Sequence, residues 1–271
     1  MTFHKITAAL LLLAMMVGLV ACAPDDAATS STSTTTTDHA SVPSSAAPTA
    51  PTEASAPTEP EVNKTLVVID AGHQAKGNYG VEPLGPGSSV MKTKVAAGAT
   101  GVVTGLEEYK LTLMVALKLQ TELESRGYEV IMIRTTHDVD MSNAERAKIA
   151  NAANADAFIR IHGNSFDDPS VHGALTMCQT RSNPYNADLY DQCRSLSEAV
   201  LDGLVAATGC KKRAILESDT MSGINWCQVP VTIVEMGFMS NPEEDCLMAT
   251  DEYQNKLARG IADGLDVFFQ K

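Results

Sequence analysis

The sequence predicts an α/β fold: one domain over residues 63–271, with a mostly parallel twisted sheet covered by helices on both faces. Short, largely apolar runs with β-branched residues carry the first part of that reading. Leu66–Ile69, Ala157–Ile161 and Val229–Val234 have the composition of strands buried on both faces of a parallel sheet. Segments with helical periodicity stand between them, so strand and helix alternate along the chain.

Residues 1–62 fall outside that domain. Lys5 supplies a small positive start, and Ala8–Val20 is apolar but short for a bilayer span. Leu19-Val20-Ala21-Cys22 then resembles a bacterial lipobox, which implies cleavage before Cys22 and a lipid on that cysteine as the link to the membrane. An ordinary secretory signal cut near Ala21 or Ala23 is the alternative, and both lead to export to the cell envelope. Residues 23–62, rich in Ala, Ser, Thr and Pro, cannot bury enough apolar surface to offset chain entropy and are expected to form a disordered tether.

Within the domain the elements follow in order. Leu66–Ile69 ends abruptly at Asp70-Ala71-Gly72-His73, which sets an imidazole in a tight turn at the carboxyl edge of the sheet. Gln74–Gly105 has Gly and Pro but no helical period, and a connector this long is either a lid or regulatory plug or an ordered flap. Glu107–Arg126 is amphipathic and stops at Gly127. Tyr128–Arg134 reads as a strand, and Ser142 with Glu145 forms a capping box for a helix to about Asn154.

Ala157–His162 and Gly173–Cys178 are further strands, followed by a helix over Ala187–Thr208 and a short strand at Lys212–Leu216. Val229–Glu235 is again a buried strand, with Pro230 placed where no ladder donor is needed. Asn241 caps a short helix with Pro242 at its first position, and a last helix covers Asp251–Phe269.

Charge and cysteine usage narrow the function. Residues 1–62 hold one lysine against six acids, so −8 of the chain's formal −13 falls on residues 63–271. An acidic domain without a basic stripe argues against nucleic acid. Five cysteines follow Cys22, at 178, 193, 210, 227 and 246; they form two disulfides and a thiol, or stay reduced, and their spacing fits no zinc cage.

Three strands end in groups that bind metal or move protons: His73, His162 and Glu235. In a parallel sheet these ends share one edge, and a crossover helix opens at the same edge, bringing Glu107 and Glu108 with it. Two imidazoles and a carboxylate with an open fourth position make a catalytic zinc arrangement. A further carboxylate beside it can take a proton from water and pass it to a leaving amine.

The stretches VVIDAGH, EEYKLTLMVALKLQ, FIRIHGN and VPVTIVEMGFMSNPEE resemble, in order and spacing, the signature segments of the zinc-dependent N-acetylmuramoyl-L-alanine amidases of the amidase-3 type. The resemblance covers residues 65–269 and implies Zn2+ held by His73, Glu108 and His162, with Glu235 catalytic. It also implies peptidoglycan as substrate, cleaved between N-acetylmuramic acid and L-alanine, and leaves an activator protein open. A zinc peptidase acting on stem peptides and a non-catalytic wall-binding lipoprotein are the rival readings. The sequence departs from the family in two places: a long insertion follows Gln74, and Arg160 stands where the third segment usually has Ser.

Other residues carry open alternatives. Asp70 either orients the His73 turn or caps the strand end, and Asn164 either donates to substrate or makes a turn. Arg160 points across the cleft or pairs with an acid, and Arg146 is expected in a structural ion pair. Trp226 stacks on a sugar or packs in the core, while His137 and His172 are expected in solvent.

Overall fold

The computed structural model describes residues 64–271; the signal, Cys22 and tether expectations lie outside the described residues. Among the described residues there are eight strands and six helices: β1 (Leu66–Ala71), β2 (Asn78–Pro83), β3 (Met91–Val95), α1 (Glu108–Ser125), β4 (Glu129–Met132), α2 (Asn143–Ala152), β5 (Ala157–Asn164) and β6 (Ala174–Cys178) come first. Then follow α3 (Tyr190–Thr208), β7 (Lys212–Glu217), α4 (Ser222–Asn225), β8 (Val231–Phe238), α5 (Pro242–Met248) and α6 (Asp251–Phe269).

Six strands form the main sheet in the order β4-β1-β5-β8-β6-β7. All neighbours run parallel except β6 and β8. The expected mostly parallel sheet is therefore present. Its two faces differ. On one, Val67, Ile69, Ala71, Ile159, Ile161, Val234 and Met236 pack against α1, α6 and much of α3. On the other, Val68, Phe158, Val231 and Ile233 meet α2 and α4. Alternation along each strand assigns residues to these faces.

Local chemistry explains most boundaries. Ser142 accepts from Glu145 N while the Glu145 carboxylate accepts from Ser142 N, so the capping box forms as read. Asn241 accepts from the amides of Glu243 and Glu244, with Pro242 at the first position of α5. Gly209 closes α3 in the left-handed conformation at φ 73°.

Four features differ from the sequence reading. β5 and β8 run past His162 and Glu235 to Asn164 and Phe238, because the ladder between them continues across a bulge. Residues 187–189 form a 3-10 turn before α3. Ser222–Asn225 makes a single helical turn. The insertion contains an antiparallel ribbon, β2 with β3, which lacks a buried face and so leaves no periodic signal.

That ribbon is pinned to the domain. Glu82, buried, accepts from Ala144 N at the start of α2 and from Ser222 Oγ. Trp226 Nε1 donates to Pro83 O at 2.9 Å, and Asn143 Nδ2 donates to Lys94 O at 2.7 Å. Trp226 is thus occupied in packing, with Lys148 above its ring. Among the described residues all five cysteines are free thiols.

Candidate active site

His73, Glu108 and His162 meet at the carboxyl edge of β1 and β5, where α1 begins. His73 Nε2, His162 Nδ1 and Glu108 Oε1 form a triangle with each side 3.1 Å. Donors held about 2.0–2.1 Å from a tetrahedral zinc stand roughly 3.3 Å apart, so the donor set fits that ion. Their side chains keep 14, 15 and 5 % of their surface exposed, which leaves the cluster reachable from one side.

Each donor is oriented by its surroundings. His73 Nδ1 donates to Ala96 O at 2.9 Å, a tautomer that aims the Nε2 lone pair at the cluster. Glu108 Oε2 accepts from Ala99 N at 2.7 Å, and Oε1 accepts from Gly163 N at 3.0 Å. Burial would raise the Glu108 pKa, but its His162 and His73 neighbours outweigh it and hold the carboxyl well below its usual range. Burial lowers the His162 pKa and favours the neutral ring; at His73 burial acts the same way, but the Glu108 carboxylate outweighs it and raises the pKa.

The turn bearing His73 has an uncommon conformation. His73 sits at φ 61°, in the left-handed region, at a cost of about 1–3 kcal/mol for a residue with a side chain. Two buried arginines hold it there. Arg146 donates to the carbonyls of Ala71 and His73, and Arg134 donates to those of Ala71, Gly72 and Tyr109. Thr112 Oγ1 adds a bond to Gly72 O at 2.8 Å. At Gly72 a Cβ would overlap the His162 ring, so this step of the turn has no room for a side chain.

Asp70 anchors the arrangement beneath the turn. Its Oδ1 accepts from Arg146 Nη1 at 2.6 Å and its Oδ2 from Arg160 Nε at 3.0 Å. Asp70 and Arg160 are register partners on β1 and β5. Burial alone would raise the Asp70 pKa; the two guanidiniums reverse that and hold it well below the carboxylate range.

Glu235 lies beside His162 in the β5–β8 register and lines the same cleft. Its Oε2 is buried with no partner among the described residues. Burial, with Glu108 adding to it, pushes the carboxyl up to about 8. It is a proton-carrying group with one oxygen uncommitted.

The sequence expectations can be set against these positions. His73, Glu108 and His162 are brought together, and Glu235 stands next to them. Glu107 instead faces Lys110 and Tyr109 at the surface. Asn164 ends β5 at the edge of the cleft, its side chain accepting from Ser165 N, and Arg146 forms its ion pair. His172 is exposed, whereas His137 is half-buried edge-on against Tyr109, because the loop folds back over the start of α1. Arg134 and the backbone of Ala96 and Ala99 went unassigned in the sequence. Arg134 had a signal, a charge closing an apolar strand at the functional edge; backbone donors have none.

Two lobes of cleft meet at His73, His162 and Glu235. One, about 490 Å³, lies under β3 and the Thr220–Gly223 segment; the other, about 450 Å³, opens beside Gly98, Asn164 and Ser165. Three donors that could hold a metal ion beside a buried carboxyl, set in a cleft at the carboxyl edge of a parallel sheet, are an arrangement suited to hydrolysis.

The comparisons with known proteins name the family. The model of the N-acetylmuramoyl-L-alanine amidase family Amidase_3 matches residues 67–267, and the chain belongs to that family. The amidase Rv3717 of Mycobacterium tuberculosis is 26% identical over 233 residues, covering 80% of this chain and 93% of that protein. The amidase LytC of Bacillus subtilis is 28% identical over 174 residues, 64% of this chain but 33% of LytC. Among solved structures, the amidase Ami1 of Mycobacterium smegmatis superposes with a TM-score of 0.68 at 25% identity, covering 76% of this chain and 97% of Ami1. The catalytic domain of the amidase CwlV from Bacillus (Paenibacillus) polymyxa gives 0.61 at 26% identity, over 76% of this chain and 98% of that one.

Proposed function

We propose that this chain is a zinc-dependent amidase that cleaves the bond between the lactyl group of N-acetylmuramic acid and the L-alanine of the peptidoglycan stem. The observation that carries the reading is the 3.1 Å triangle of His73, Glu108 and His162 with the uncommitted Glu235 carboxyl beside it. Family membership supports the substrate.

Zinc bound by these three residues would lower the pKa of a coordinated water towards ~7 and polarise the scissile carbonyl. The chain's own groups do the rest. In its ionised form, which the charge of bound zinc would favour over the raised pKa of the metal-free protein, the Glu235 carboxylate accepts the proton of the attacking water and delivers it to the leaving nitrogen, so the amine departs neutral. The backbone of Gly163 and Ala99 fixes the Glu108 carboxylate, and Ala96 O fixes the His73 ring, so neither has to reorganise during turnover. Arg134 and Arg146 keep the His73 turn in place.

The exported, lipid-anchored state at Cys22 belongs to the same proposal; it rests on the lipobox pattern. No helix among the described residues is long and apolar enough to cross a membrane.

Mass spectrometry of purified peptidoglycan digested with the zinc-loaded protein, with and without a chelator, tests the function. The expected products are peptide-free glycan and stem peptides with a free L-alanine amino terminus, absent when the chelator is present. Release of single amino acids from stems that stay on the glycan would make the protein a peptidase instead.

A further inference from the structure

The two lobes of the cleft carry different charge. The lobe beside Asn164 and Ser165 is lined by the acids Glu108 and Glu235 and by no lysine or arginine. The lobe under β3 is lined by Lys92 and Arg160, and its only acid is Glu235, at the junction. Lys92 makes no ion pair with the described residues and stands exposed on the ribbon at the rim. Glu82, its register partner, does not line the lobe; it is engaged by Ala144 N and Ser222 Oγ.

Arg160 is the unusual group. It is only 3 % exposed, and its Nε and Nη2 are committed to Asp70 and Asn143. Its Nη1 has no hydrogen-bond partner among the described residues, although the residue lines the cavity. Asp70 is already shared with Arg146, so one carboxylate faces two guanidiniums and a positive charge is left over. A largely buried guanidinium with a free N–H edge on a cleft can take an acceptor from a ligand. Gly223 makes room for the guanidinium itself: a Cβ there would overlap Nη1.

We propose that Arg160, with Lys92 at the rim, forms a subsite for a carboxylate carried by the peptide side of the substrate, two residues from the scissile amide. This rests on the amidase reading above. The reach follows from geometry. Arg160 and His162 are two apart on β5 and share a face, so they are about 7 Å apart along the strand. An extended peptide advances about 3.3 Å per residue, so its second residue comes level with Arg160 when its first follows the amide at the metal cluster. The sugar side of the amide is uncharged and takes the other lobe. The ligand class is therefore an acidic second residue with its carboxylate free, and a carboxamide there leaves Nη1 facing another donor.

The experiment compares kcat/KM for muramyl-L-alanyl-D-glutamic acid γ-methylamide and for its α-carboxamide, muramyl-L-alanyl-D-isoglutamine γ-methylamide, so that the second residue carries one carboxylate in the first and none in the second, using the zinc-loaded wild-type protein. A charge-assisted bond predicts that the free acid is preferred by about tenfold or more. Arg160→Gln, checked for folding and zinc content, should bring the ratio close to one, and Lys92→Gln should lower it by a smaller factor. Equal rates for both substrates in the wild type overturn the subsite while leaving the amidase reading intact, whatever the Arg160 variant does. An undiminished ratio in folded, zinc-loaded Arg160→Gln overturns it as well. Cleavage of neither substrate overturns the amidase reading, and the subsite with it.

Discussion

The two faces of the central sheet use the same strands for different ends. On the α1/α6 face, β1 and β5 contribute Val67, Ile69, Ala71, Ile159 and Ile161, apolar from one end to the other. On the opposite face the same strands read Val68-Asp70 and Phe158-Arg160-His162, while β8 reads Val231-Ile233-Glu235. That face turns from apolar to charged within one side-chain repeat. One face holds the sheet together by area, and the other gives its last two rows to a charge network beneath the candidate metal donors. The lesson is that the site is continuous with the core: Asp70 is as buried as Ile69 beside it. Buried charge of this kind tolerates little, because loss of one partner strands another.

The largest expected effect is on chemistry. Glu235→Gln should retain zinc and lose turnover by about 10²–10⁴-fold in kcat, the range for a general acid–base group. The same variant tests the pH behaviour of the metal-free protein. The Glu235 carboxyl is raised from 4.5 to about 8, so the folded state favours its protonated form. Metal-free protein should therefore be most stable below pH 4.5 with respect to this group, and lose stability as pH rises through 8. Thermal melts of Glu235→Gln should lack that decline.

The contrast between the faces comes next. Arg146→Met leaves Asp70 half-paired and frees the His73 carbonyl, and should destabilise the fold by about 3–5 kcal/mol. It should also weaken zinc binding per folded molecule. Leu204→Ala, in α3 on the apolar face, should cost a similar 2–5 kcal/mol or so and leave zinc affinity unchanged. Paired denaturation and zinc titrations distinguish them; equal zinc affinity in both variants would mean the Arg146 clamp is only structural. The smallest effect is expected from Thr112→Val, which removes the bond to Gly72 O and an acceptor of Arg134 Nη2, whose other bonds remain, and should cost about 1–2 kcal/mol in the same melts.

Much of this was legible in the sequence. The buried strands announced themselves by β-branched runs, and the donors by closing those runs at one edge, as His73, His162 and Glu235 do. Glu108 and not Glu107 was selected by resemblance, and the structure shows why: Glu107 is the N-cap residue, so the next side chain turns inward to the cluster. Less visible were groups whose role depends on backbone. Ala96 O and Ala99 N orient two of the donors, and no side-chain pattern encodes a carbonyl or an amide. The β2–β3 ribbon escaped for a related reason: exposed on most of its positions, it alternates nothing. The lid-or-flap question shifts accordingly. The insertion supplies hydrogen bonds to His73 and Glu108 through Ala96 and Ala99, so deleting residues 84–103 should weaken zinc binding rather than open the cleft.

X-ray absorption spectroscopy at the zinc edge of the loaded wild-type protein tests the central claim most directly. The account predicts a shell of nitrogen and oxygen at about 2.0–2.1 Å with outer scattering from two imidazoles, one of which disappears in His73→Ala. A sulfur neighbour at about 2.3 Å, or a shell with no imidazole scattering, would contradict it.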